Sequence, residues 1–157
     1  MRSFMIRSAR PAFVLPVLTV LGLMLAGVPA GAQDPPKYHN YAELAKNVQA
    51  LAGAHKTAAR VESIGKTRGG RDIWALEIAN PGGVAPGVRP ALLIAAGFEG
   101  DSLVGSEIAL SVAEALLKGA ASDPEIKQRL DTTTIYIIPR VNPDGAEGFF
   151  ASIKTGR

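Results

Sequence analysis

Apolar side chains change their spacing several times along the chain, and each change marks an element. Leu44, Val48 and Leu51, with Ala45 and Ala52, make one apolar face, and Asn40-Tyr41-Ala42-Glu43 before them has the form of a capping box. The pattern predicts an amphipathic helix from Tyr41 to about Ala54, packed on a sheet. Ala59 to Lys66 and Asp72 to Ala79 read as strands. Between them Thr67-Arg68-Gly69-Gly70-Arg71 suits a hairpin turn, so the two strands are expected to pair antiparallel. The Pro- and Gly-rich stretch from Asn80 to Gly87 is a surface loop leading to Ala91-Leu92-Leu93-Ile94-Ala95-Ala96, an unbroken apolar run that predicts a strand buried on both faces.

Ile108, Val112, Ala115 and Leu116 mark a further helix ending near Gly119, and Asp123-Pro124-Glu125 opens a short one running to Leu130. The β-branched stretch Thr132 to Ile138 returns as a strand. Strand, crossover helix and strand make a parallel unit beside the antiparallel hairpin. The expected fold is therefore α/β, a three-layer sandwich with a mixed, partly parallel sheet.

Composition and charge narrow the range of functions. The 157 residues hold 17 Lys+Arg, 14 Asp+Glu and no Cys, and 47% are hydrophobic. Arg2, Arg7 and Arg10 lie in the acid-free first 32 residues; setting them aside leaves 14 basic against 14 acidic side chains, with no electrostatic footprint for nucleic acid. Those first residues pair the basic start with an apolar run from Ala12 to Val28 and end in Ala30-Gly31-Ala32. This is the layout of a signal peptide cleaved after Ala32, which predicts a secreted or periplasmic product of residues 33–157 that meets a membrane only during export. Without Cys there can be no disulfide, thiolate ligand or Cys nucleophile.

Ligands in open α/β sheets bind at the carboxyl ends of parallel strands. The segments to inspect are therefore Gly97-Phe98-Glu99-Gly100-Asp101-Ser102 and Pro139-Arg140-Val141-Asn142-Pro143-Asp144-Gly145. The first sets two carboxylates and a hydroxyl at a strand end; the second contains Asn-Pro-Asp-Gly, whose plainest interpretation is a type I turn without chemistry. His39 and His55 flank the first helix with no partner at metal-ligand spacing and read as surface residues. Trp74 reads as core or hairpin packing, and Arg68 and Arg71 as charges shown to water by a turn.

Taken in order, several segments resemble the N-terminal part of the zinc carboxypeptidase family, metallopeptidases that remove C-terminal residues from peptides. They are Tyr38, Tyr41, Glu43 and Leu44; Ser63 to Thr67 with Gly70-Arg71 and Ile73 to Leu76; the segment Ala96 to Glu107; and Pro139 to Gly145. The resemblance covers about Tyr38 to Arg157. It implies zinc as cofactor and the C-terminus of a peptide or peptide-like substrate as partner. In the family, the loop after the buried strand carries His-x-x-Glu, which supplies two zinc ligands. Here Glu99 stands at the His position and Ser102 at the Glu position, so both metal-ligand positions are degenerate.

A neutral Ser hydroxyl is a poor zinc ligand, and oxygen donors suit magnesium or calcium better than zinc. This chain is therefore not expected to retain the family's zinc. The resemblance further implies that the third ligand and the substrate-binding groups lie beyond Arg157. Arg157 itself stands about where the family has an oxyanion-stabilising Arg. Three possibilities result: an exported zinc carboxypeptidase-like protein impaired in catalysis, a non-catalytic peptide-binding pseudopeptidase, or an inactive truncated remnant.

Overall fold

Asn40 starts the first helix through paired hydrogen bonds: its Oδ1 accepts from Glu43 N (3.0 Å), while Glu43 Oε2 accepts from Asn40 N (3.1 Å). Two of the helix's four orphan amino-terminal N–H groups or their neighbours are thereby satisfied, as the sequence predicts. In the computed structural model, which describes residues 37–154, this helix α1 spans Tyr41–Ala54 and buries Leu44, Val48 and Ala52. The expected signal peptide, residues 1–32, and Arg157 lie outside the described residues.

Strands β1 (Ala59–Lys66) and β2 (Asp72–Ile78) form the expected antiparallel hairpin, from Ala59 opposite Ile78 to Lys66 opposite Asp72. A short 3-10 turn (Pro86–Val88) leads into β3 (Ala91–Ala95). Helix α2 (Val104–Ser122) and helix α3 (Pro124–Thr132) then carry the chain to β4 (Thr134–Ile138), and α4 (Pro143–Lys154) comes last. Asp123 caps α3, its carboxylate accepting from the Glu125 and Ile126 amides. That helix continues to Thr132, the residue at which sequence alone already starts the last strand.

The sheet order is β1-β2-β4-β3, with β4 antiparallel to β2 and parallel to β3. The α/β class and the mixed, partly parallel sheet are therefore as expected. Leu76, Ile78, Ile135 and Ile137 share one face of the pleat because side-chain direction alternates along a strand. Against that face pack Leu44, Val48 and Ala52 of α1, Ala109, Leu110, Ala113 and Leu117 of α2, and Leu130 of α3.

Arg89 closes the loop side of this core. Only 7% exposed, it donates from Nε to Thr134 Oγ1 (2.9 Å) and from Nη1 to the carbonyls of Leu130 (3.1 Å), Asn80 (3.3 Å) and Asp131 (3.4 Å). A cation is thus set against the carbonyls at the carboxyl end of α3, where the helix leaves acceptors unpaired.

Two expectations need correction. Strand β3 is not buried on both faces: it lies at the sheet edge among the described residues, with Leu92 50% and Leu93 61% exposed. An apolar run reports that a strand can be buried, not that a neighbour lies on each side of it. Asn-Pro-Asp-Gly is not an isolated turn either. Asn142 accepts from Gly145 N through Oδ1 (2.9 Å) and so caps α4, with Pro143 at the first helical position.

Candidate binding cleft at the strand ends

Strands β3 and β4 run parallel, so the loops that leave their carboxyl ends lie side by side. The sheet ladder continues into them: Ala96 N donates to Ile138 O, Val141 N to Ala96 O and Asn142 N to Gly97 O, each at 2.9 Å. Asn142 Nδ2 adds a bond to Phe98 O at 3.2 Å. These bonds hold residues 96–98, the start of the loop, against the segment that enters α4.

Two glycines make this approach possible. Gly97 has φ +65°, and a Cβ there would lie 2.6 Å from Ser106 Oγ and 3.0 Å from Arg140 Cα. A Cβ on Gly100 would overlap the backbone of Gly145.

Beneath the loops sits a polar network that the sequence does not disclose. Arg140 is 3% exposed and donates from Nε to Ser106 Oγ (3.1 Å) and from Nη2 to His39 O (3.0 Å). Its nearest carboxylate is Glu107 Oε1 at 4.0 Å, and its Nη1 has no partner. Burial pulls the pKa of this guanidinium below the ordinary arginine value, with Glu107 and Glu147 opposing the shift. His39 contributes more than a carbonyl: its backbone N donates to Glu107 Oε1 (2.9 Å), Nδ1 meets Glu107 Oε2 (2.7 Å), and Nε2 meets Asn47 Nδ2 (2.8 Å).

His39 is therefore a tie between the lead-in segment, α1 and α2, not a free surface residue. Its partner Glu107 lies 68 residues away in sequence, so spacing could not reveal the pair.

A second network fastens the β1–β2 turn to α4. Asp144 Oδ1 accepts from Arg71 Nη1 (2.7 Å) and Thr67 Oγ1 (2.9 Å), and Oδ2 accepts from Gly69 N (2.9 Å). Arg71, whose charge sequence alone assigns to solvent, is thus paired, and it also lies 6.0 Å from the centroid of the Tyr41 ring. The Arg71 guanidinium, followed by the Gly69 amide, holds the Asp144 carboxyl below its usual pKa. Trp74 packs against the core, as expected, although its Nε1 has no partner.

The sequence-derived ligand positions lie on the outer side of this scaffold. Glu99, Asp101 and Ser102 are all exposed. Glu99 and Ser102 border a depression of about 260 Å³ with Ala96, Gly97, Phe98 and Gly105. Ser102 also borders a groove of about 360 Å³ with Tyr38, Asp101, Leu103, Val104 and Phe149. The structure therefore brings Glu99 and Ser102 to one cleft, while Arg157 lies outside the described residues. Neither histidine reaches this loop: His39 is bound to Glu107 and Asn47, and His55 caps the end of α1.

Among the described residues no three His, Cys, Asp or Glu side chains gather in a metal-binding group. One carboxylate and one neutral hydroxyl do not fit zinc, which is typically held by three protein ligands of imidazole, carboxylate or thiolate type. No helix among the described residues is long and apolar enough to cross a membrane.

Comparison with known proteins agrees with the fold. A family model described as zinc carboxypeptidase matches residues 44–157. The chain is 33% identical over 111 residues to carboxypeptidase D of Homo sapiens, covering 71% of this chain and 8% of that protein. It is 32% identical over 136 residues to a zinc carboxypeptidase of Saccharothrix mutabilis subsp. capreolus, covering 81% and 31%. The chain thus spans less than a third of the length of these relatives.

Among solved structures, the carboxypeptidase A from Helicoverpa armigera superposes with TM-score 0.62 at 20% identity, over 87% of this chain and 34% of that one. A metallo-carboxypeptidase from Burkholderia cenocepacia gives TM-score 0.60 at 23% identity, over 71% and 29%. The matched family model, the order of the segments and the shared sheet lead to one conclusion: the chain belongs to the zinc carboxypeptidase family.

Proposed function

We propose that this chain is the front portion of an exported zinc carboxypeptidase-like protein that receives peptide or peptide-like C-termini at its strand ends and is impaired in catalysis as it stands. One observation carries the proposal: Glu99 and Ser102, which occupy the positions of the family's His and Glu ligands, sit together on an exposed loop with no imidazole beside them. Zinc in an intact site lowers the pKa of bound water and polarises the scissile carbonyl. The donors here do not fit that ion, so no hydrolytic step is assigned to them. Export rests on the 1–32 leader, and an oxyanion role for Arg157 rests on its place in the sequence.

The pseudopeptidase alternative draws support from the loops themselves. Residues 96–98, which lead into the Glu99–Ser102 stretch, are tied down by four hydrogen bonds to residues 138–142, an order that serves binding even without a metal.

The test is to purify the full-length chain from its source cells, measure bound metal by elemental mass spectrometry, and assay release of the C-terminal residue from peptides with and without a chelator. The expected result is zinc well below one equivalent and no chelator-sensitive release. Stoichiometric zinc with chelator-sensitive turnover would overturn the proposal.

A further inference from the structure

We infer that the groove bounded by Tyr38 and Phe149 is a subsite for the amino-terminal residue of a short peptide. It takes an apolar side chain of aromatic size, while Asp101 takes the free α-ammonium. This inference rests on the peptide-binding function proposed above and adds a substrate class to it.

Leu103, which precedes α2, and Val104, its first residue, line the groove together with Tyr38 and Phe149, and its volume of about 360 Å³ falls in the range of small-ligand sites. The rim is polar and unbalanced. Asp101 is exposed and makes no ion pair or hydrogen bond among the described residues. The arginines of the strand-end networks are committed elsewhere, Arg140 to Ser106 and His39, and Arg71 to Asp144. Among the described residues no cation pairs with Asp101, and a carboxylate in that setting beside an apolar groove is complementary to a ligand that joins one positive charge to one apolar side chain. An amino-terminal aromatic residue has that form.

Continuity with the ligand-position loop sets the direction of the chain. Ser102 borders both the groove and the depression that contains Glu99, so a peptide anchored by its amino end in the groove leads toward Glu99. The wall is held in place before any ligand arrives. His39, next to Tyr38, is bound through its backbone N and Nδ1 to Glu107 and through its carbonyl to Arg140. A longer peptide passing through the groove would bring a neutral amide to Asp101 and leave its charge unmatched, so the site favours short peptides.

The experiment is calorimetric titration of the full-length chain, at low salt, with Phe-Ala-Ala, N-acetyl-Phe-Ala-Ala and Gly-Ala-Ala. Phe-Ala-Ala is expected to bind about fivefold more tightly than its acetylated form, the effect of one partly exposed ion pair. The difference is expected to shrink with added salt and to vanish in Asp101→Asn at unchanged melting temperature, while Gly-Ala-Ala binds more weakly than Phe-Ala-Ala. Equal affinity for the free and acetylated peptides overturns this inference and leaves the peptide-binding function standing, as does a difference that survives in Asp101→Asn. Gly-Ala-Ala binding as tightly as Phe-Ala-Ala overturns the apolar subsite. If none of the three binds, both the inference and the peptide-binding function fail.

Discussion

Asp144, in the first turn of α4, accepts a hydrogen bond from Arg71 at 2.7 Å across 73 residues of sequence, and the same carboxylate closes the β1–β2 turn through Thr67 and Gly69. Its pKa is depressed in the folded state, chiefly by Arg71, so the unfolded chain binds the proton more readily. The stability this group contributes is fully present above the unfolded carboxylate value, about 3.9, and is lost as pH falls through the lower folded value. Asp144→Asn is therefore expected to melt below the native chain at neutral pH, with the gap narrowing in acid below that value. Thermal unfolding measured by circular dichroism across pH 2 to 7 checks this; a gap independent of pH would show that the turn is held by something other than the carboxylate charge.

Gly97→Ala puts a methyl group 2.6 Å from Ser106 Oγ and forces a non-glycine residue to φ +65°. The expected cost is about 1–3 kcal/mol, read as a lower urea midpoint with unchanged slope. Adding Ser106→Gly should not restore the loss, because the strained backbone and the 3.0 Å approach to Arg140 Cα remain and the Oγ that accepts from Arg140 Nε is removed. Complete restoration would mean that the left-handed backbone is not strained.

Leu93→Asp tests the edge position of β3. Leu93 is 61% exposed, so the substitution should change stability by no more than about 0.5–1 kcal/mol. Ile137→Ala, in the fully buried middle of β4, should cost about 2–5 kcal/mol. If chemical denaturation gives equal losses, Leu93 is covered in solution.

Arg89→Met keeps the length of the side chain and removes its hydrogen bonds to Thr134 and three carbonyls. The Leu130 and Asp131 carbonyls keep the donors Asn80 N and Val84 N, but Asn80 O and buried Thr134 Oγ1 lose the one from Arg89, and the expected loss is about 1–3 kcal/mol. Hydrogen exchange should rise first at the carboxyl end of α3. Uniform loss of protection would instead mark Arg89 as a general packing element.

Wherever local chemistry sets an element, that element is legible in the sequence. The Asn40 and Glu43 capping pair, the Leu44, Val48 and Ala52 face of α1, the glycine-rich turn of the hairpin, and Asp123 and Pro124 at the head of α3 all act within a few residues of their position. The order of segments from Tyr38 to Gly145 likewise carries the family, whereas the reading of Glu99 and Ser102 as departures from its His-x-x-Glu is a proposal from the sequence. Three other matters belong to the tertiary structure. Strand β3 lies at an edge among the described residues, because burial depends on neighbours that an apolar run does not name. Asn142 is a helix cap, because the same four residues can close a turn or open a helix according to the residues after them. His39 joins Glu107 and Arg71 joins Asp144, 68 and 73 residues apart, because polar side chains find partners through space and leave no period in the sequence.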